Sequence, residues 1–257
     1  MIKTDLYRKT LYLNREIDYL INCEILEYDM RDAGFNLIKY FKLLPDKQIA
    51  YLEKMTKDAR KIEIGMIQRK DKSLASKLTE AFIEARRMFF DANDISEDDV
   101  LSIKKDAIFI IRKKCQVTEF ENIEFRIKNR YLGYFYINRV EMYYTNNDTP
   151  IDVKGIDDSV LHYHEDYMMD FIRDVFNHAI YIGRSNTIKL ITDFINDYRS
   201  NNLDFGYYRN FDSESYYTII APGGDVVKVR DVEDESVFMD TTYNYFKFLV
   251  PIANIFI

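Results

Sequence analysis

At 257 residues, 47% hydrophobic and 31% charged, the chain is long enough for one large compact domain or two small ones and can bury a sizeable core without disulfide staples. The start MIKTDLYRKTLYL has no apolar run after its charges, no window reaches the ~18 apolar residues of a membrane span, and Cys23 and Cys115 form no CxxC pair. A soluble, cytoplasmic protein in a reducing compartment is expected. The net charge of −7 hides an asymmetry: residues 1–130 carry 26 Lys and Arg against 23 Asp and Glu, or +3, whereas residues 131–257 carry 10 against 20, or −10. A polyanionic partner is therefore expected at the first half.

In chain order, Cys23 to Tyr28 (CEILEY) reads as a buried strand ending at Asp29, and residues 30–43 follow with Ala33, Phe35, Leu37, Ile38 and Phe41 at helical spacing. After Pro45, residues 47–70 form one helical pattern, and Ser73 opens another that runs to about Phe90. Val100 to Ser102 and Ala107 to Ile111 flank the charged tip Ile103-Lys104-Lys105-Asp106, the pattern of a β-hairpin that sets Asp106 at or beside a turn. Strands are predicted at 121–127, 131–137 and 140–145, and helices at 158–182 and 186–201. Pro222-Gly223-Gly224 marks a hairpin turn, and an apolar helix closes the chain from about 239 to 256.

Two strands that each present a carboxylate at an end or a turn can build a divalent-metal site. Carboxylate oxygens are the hard ligands Mg²⁺ prefers, and the ion usually takes only one or two of them. For a single Asp, a solvated turn residue is the more common outcome. On the helix after the acid-bearing strand, Lys57, Arg60 and Lys61 stand at i, i+3 and i+4, so three cations share a face able to grip a triphosphate, or form a solvated basic face paired with Asp58 and Glu63.

Several segments, in order, resemble the polymerase motifs of family B DNA polymerases. EYDMRDAGFNLI (27–38) is similar to motif A, with Asp29 at its metal-binding Asp, and SIKKDAIFI (102–110) to motif C, with Asp106 on the second acid. KDARKIEIGMI (57–67) fits the frame of motif B through Lys57 and Gly65. VEMYYTNNDTPIDVKGID (140–157) resembles the Lys-x-Tyr stretch followed by acid-x-Lys-Gly-Ile, and MDTTYNYFKFLVPIANIFI (239–257) the closing thumb helix. The resemblance implies an α+β fold: an antiparallel palm with packed helices over residues 1–157, reduced fingers at about 44–70, and a mainly helical thumb-like region over 158–257, with no exonuclease domain before Asp29.

It also implies a Mg²⁺- or Mn²⁺-dependent nucleotidyltransferase extending a nucleic-acid 3′ end, with Asp29 and Asp106 as catalytic metal ligands. The nucleoside triphosphate would be held by Lys57, Arg60, Lys61 and Gly34, and the nucleic acid by Lys104, Lys105, Tyr143 and Lys154. A shortened replication enzyme in an AT-rich composition fits a viral origin and the host cytoplasm. The departures point to a second reading. Gly34 stands where motif A carries the Tyr that excludes ribonucleotides, Lys104 replaces the first acid of motif C, Lys61 replaces the Asn of motif B, and Glu141 replaces the lysine of the Lys-x-Tyr element. The alternative is a catalytically degenerate, polymerase-derived protein that binds nucleic acid or another protein. His162 and His164 are i and i+2 with no third ligand nearby, so core or surface histidines are expected there rather than a metal pair.

Overall fold

A computed structural model of the chain describes residues 5–200, 202–212, 216–220, 226–230 and 243–257, and of 205, 216–220 and 226–230 the backbone alone. The predicted Pro222-Gly223-Gly224 turn and the first residues of the closing helix lie outside the described residues. The chain divides into two compact units, Met1–Glu16 with Glu24–Arg130, and Ile17–Cys23 with Tyr131–Ile257.

The first unit begins with a 3-10 turn, Leu6–Arg8, and strand β1, Leu11–Leu13. Strand β2, Tyr19–Met30, continues two residues beyond the predicted run and carries Asp29 as its penultimate residue. Four helices follow: α1 (Ala33–Tyr40), α2 (Asp46–Glu53), α3 (Lys57–Lys70) and α4 (Lys72–Ala92). The single helical pattern expected over 47–70 is thus two helices. Extended backbone at Thr56 ends the first, and the Thr56 hydroxyl accepts from the Ala59 N–H to start the second. Asp71 caps α4 in the same way through the Ser73 N–H.

Strands β3 (Val100–Lys104) and β4 (Ala107–Ile111) form the predicted hairpin, tightened to the two-residue turn Lys105-Asp106, with Lys105 left-handed at φ 58°. After β5 (Glu119–Phe120) comes β6 (Ile123–Ile137), one 15-residue strand where two were expected. Within the sheet, β4 lies between β3 and β2 and pairs antiparallel with both, and β2 lies between β4 and β6. Strands β2 and β3 therefore run parallel with β4 inserted between them, and the four helices are the crossover connection, a split β-α-β unit.

Alternation along β2 divides its faces. Leu26, Tyr28 and Met30 join the core made with Phe35, Leu37, Leu78, Ala85 and Phe89 from the helices. Tyr28 packs on Phe89 with ring centroids 5.3 Å apart, and Phe89 stacks on Phe125 of β6 at 4.3 Å. Ile25, Glu27 and Asp29 consequently occupy the face of the strand turned away from the helices.

The second unit adds β7 (Val140–Tyr144) and β8 (Asp152–Lys154), paired antiparallel to one another and, through β7, to the last residues of β6. Helix is predicted over 158–182, but the segment is broken: α5 (Asp158–Leu161), a 3-10 turn (His162–His164), α6 (Met168–Asn177) and a π turn (His178–Ile182). Next come α7 (Arg184–Arg199), the antiparallel hairpin β9 (Tyr216–Ile220) and β10 (Val226–Arg230), a π turn (Tyr245–Leu249) and α8 (Val250–Phe256). Its core is aromatic: Phe176 of α6 stacks on Phe135 at 4.0 Å and on Tyr144 at 5.1 Å. The fold class is α+β, with an antiparallel sheet and packed helices, and the described part of 158–257 is helical apart from the β9–β10 hairpin.

Candidate metal and nucleic-acid site

The register of β2 and β4 brings the two predicted acids together. Asp29 lies opposite Ala107, and the Met30 N–H donates to the Asp106 carbonyl at 3.3 Å, so Asp106 sits beside the end of β2 at the tip of the hairpin. The tip is held from two sides. The Lys105 N–H donates to the Thr10 carbonyl at 2.8 Å, and Arg86 Nη1 on α4 donates to the Lys105 carbonyl at 2.8 Å.

Asp29 retains only 20% of its side-chain exposure. Burial raises its pKa above the ordinary carboxylate value, the negative charge of Asp106 raises it further, and Lys128 and Arg126 oppose both effects. Arg126 Nη2 approaches Asp29 Oδ2 at 3.6 Å. Glu27, two residues earlier on the same face of β2, is buried and accepts from Lys128 Nζ at 3.2 Å and from Asn129 Nδ2 at 2.6 Å.

Arg126, Lys128 and Arg130 alternate along β6, so their side chains share one face of that strand with Glu27 and Asp29. Each is about half exposed, and they pair with Asp29, Glu27 and Glu24 respectively. Sequence reasoning missed this row. Its signal is the alternation R-I-K-N-R in 126–130, cations at every second residue, which runs from the end of the first predicted strand through the gap at 128–130.

The helix cations are divided. Arg60 turns inward, donating to Asp32 Oδ2 at 2.7 Å and to the Met55 carbonyl at 3.0 Å, with its guanidinium 4.2 Å over the Phe35 ring. Lys57 and Lys61 remain exposed on α3. Gly34 lies in α1, and a Cβ there would meet nothing within 4 Å. Lys104 ends β3 and is half-buried, whereas Lys105 is exposed. Tyr143 and Lys154 belong to the second unit and are held within it. Tyr143 is fully buried and its hydroxyl donates to Glu141 at 2.7 Å, while Lys154 donates to Asp152 at 2.6 Å, a carboxylate that also accepts from the Tyr131 hydroxyl. His164 is buried against Phe211, with ring centroids 5.3 Å apart, as the core reading expected.

A family model described as the bacteriophage PBS1 gene 130 protein matches residues 1–257. The chain belongs to this family. No curated protein matches the PBS1 gene 130 family chain. The family name agrees with the viral origin expected from the sequence, and no described helix of this member is long and apolar enough to cross a membrane.

The chemistry of the donor set in this PBS1 gene 130 family member fits a divalent ion held by two carboxylates. Asp29 and Asp106 are neighbours across the end of β2 and the hairpin turn, and the Asp106 charge, which adds to burial in raising the Asp29 pKa, is one that a cation between them would offset. Among the described residues no group of three or more His, Cys, Asp or Glu is placed to hold a metal, so water and substrate phosphate would complete the shell.

Proposed function

We propose that this protein is a metal-dependent nucleotidyltransferase built on a polymerase-type palm, extending a nucleic-acid 3′ end from nucleoside triphosphates. The observation that carries this reading is the juxtaposition of Asp29, on the strand face turned away from the helices, with the turn that bears Asp106. The split β-α-β order, with the acid-bearing strand between the hairpin and β6, supports it further. Asp29 and Asp106 would hold Mg²⁺ or Mn²⁺, which in such a site neutralises the transferring phosphoryl group and acidifies the attacking hydroxyl. Arg126, Lys128 and Arg130 line the same strand face, each half exposed and paired with a carboxylate of β2, so a nucleic-acid backbone would meet them by competing with those partners. Of the three cations at 57–61, Lys57 and Lys61 are exposed on α3 and open to a triphosphate, since Arg60 is engaged by Asp32. Incorporation would then depend on charge placement and orientation more than on base-reading groups.

One observation favours the second reading, a non-catalytic nucleic-acid-binding accessory protein. Arg126 already approaches Asp29, and the position of the missing motif C acid is Lys104, so cations occupy places that an ion-binding centre leaves to carboxylates. Primer extension separates the two. With Mg²⁺ or Mn²⁺, ribo- and deoxyribonucleotides, and with or without template, the native protein is expected to lengthen the primer, and Asp29→Ala or Asp106→Ala to abolish the product. Absence of extension under every condition, with binding of the primer retained, selects the accessory reading.

A further inference from the structure

Arg86 of α4 is 1% exposed, so no ligand reaches it. Its Nε donates to the Tyr7 carbonyl and its Nη1 to the Lys105 carbonyl, both at 2.8 Å, while its buried Nη2 has no hydrogen-bond partner among the described residues. A guanidinium sequestered on these terms costs stability. What it supplies is geometry. Two donors on one rigid plane fix the spacing of the two carbonyls they bind, which a single ammonium cannot do.

The Lys105 carbonyl belongs to the peptide plane that leads into Asp106, and the Asp106 carbonyl to the plane that leaves it. Arg86 holds the first at 2.8 Å and the Met30 N–H the second at 3.3 Å, so both planes around the Asp106 Cα are tied, one to α4 and one to the end of β2. The turn needs such ties. Lys105 is left-handed at φ 58°, a conformation disfavoured for any residue with a Cβ, and its N–H is taken by the Thr10 carbonyl at 2.8 Å. We infer that Arg86 is a positioning residue for the Asp29–Asp106 cation site: anchored on Tyr7, it fixes the peptide plane before Asp106 and so sets where that carboxylate lies relative to the end of β2. The inference rests on the metal-site reading of Asp29 and Asp106.

Amide hydrogen exchange and Mn²⁺ binding of the full chain, native and Arg86→Lys, test it. In the native chain the Lys105 N–H is expected to exchange roughly tenfold or more below the unprotected rate, although it lies in a turn. Arg86→Lys keeps the charge and loses the two-donor plane; it is expected to speed that exchange by roughly tenfold while the interiors of β4 and α4 stay protected. The same substitution should weaken Mn²⁺ by roughly fivefold in the native chain and by less than about twofold in Asp106→Asn, the non-additivity that action through Asp106 requires and a general loosening does not produce. Phe82→Leu, one turn earlier on α4 and packed against the core, controls for lost packing and should leave Mn²⁺ affinity unchanged. An unprotected Lys105 N–H in the native chain, Mn²⁺ binding indifferent to Arg86→Lys, or equal weakening in both backgrounds would each overturn the inference. Absence of Mn²⁺ binding from the native chain contradicts the metal-site reading instead, and the exchange of Lys105 then decides by itself whether Arg86 holds the turn.

Discussion

Arg126 holds its Nη2 3.6 Å from Asp29 Oδ2, so the carboxylate at the end of β2 lies between a cation on one neighbouring strand and the Asp106 charge on the other. The two neighbours act in opposite directions on its proton affinity. Asp106→Asn is expected to lower the Asp29 pKa and Arg126→Ala to raise it. Carboxyl carbon shifts of Asp29 followed through a pH titration read both changes. If neither substitution moves its titration, the three groups do not share a site.

His164 gives the second unit an acid-sensitive core. Burial, reinforced by the charges of Arg209 and His162, lowers its pKa from 6.5 to about 4. Between those values the unfolded chain binds a proton that the folded chain does not. The contribution is therefore intact above pH 6.5 and is lost as pH falls towards 4, by roughly 3 kcal/mol. Denaturant unfolding of the native chain and His164→Phe across this range checks the sign: the variant should lose less stability on acidification.

Gly133 on β6 is required by close packing rather than by backbone conformation. A Cβ there would lie 2.6 and 2.7 Å from ring carbons of Phe176, and that ring is fixed by stacking on Phe135 and Tyr144. Gly133→Ala is expected to cost about 1–3 kcal/mol as overpacking. Urea unfolding measures it, and Phe176→Leu in the same chain should recover part of the loss by making room.

The parts of this fold that were legible in the sequence are those where composition changes abruptly. The apolar run before Asp29 and the charged tip between two apolar stretches fixed the strand and the hairpin, because buried strands and exposed turns differ most in residue type. The division between α2 and α3 was hidden, since its agent is the Thr56 hydroxyl in a polar stretch with neither Pro nor Gly. The full length of β6 was hidden for a related reason. Its central residues carry half-exposed cations on one face, and Lys128 and Arg130 read as a break after the strand that holds Arg126 when their carboxylate partners are about a hundred residues away. Arg60 shows the converse: a cation at helical spacing suggested an open basic face, yet Asp32, distant in sequence, and the Phe35 ring draw it inward.

The central claim is that Asp29 and Asp106 together form a divalent-cation site, and Mn²⁺ binding followed by electron paramagnetic resonance tests it most directly. The native chain is expected to bind Mn²⁺ saturably, and Asp29→Asn and Asp106→Asn each to weaken that binding by roughly tenfold or more, as the loss of one of two charged ligands requires. Mn²⁺ binding that is absent from the native chain, or that survives both substitutions unchanged, would contradict the account.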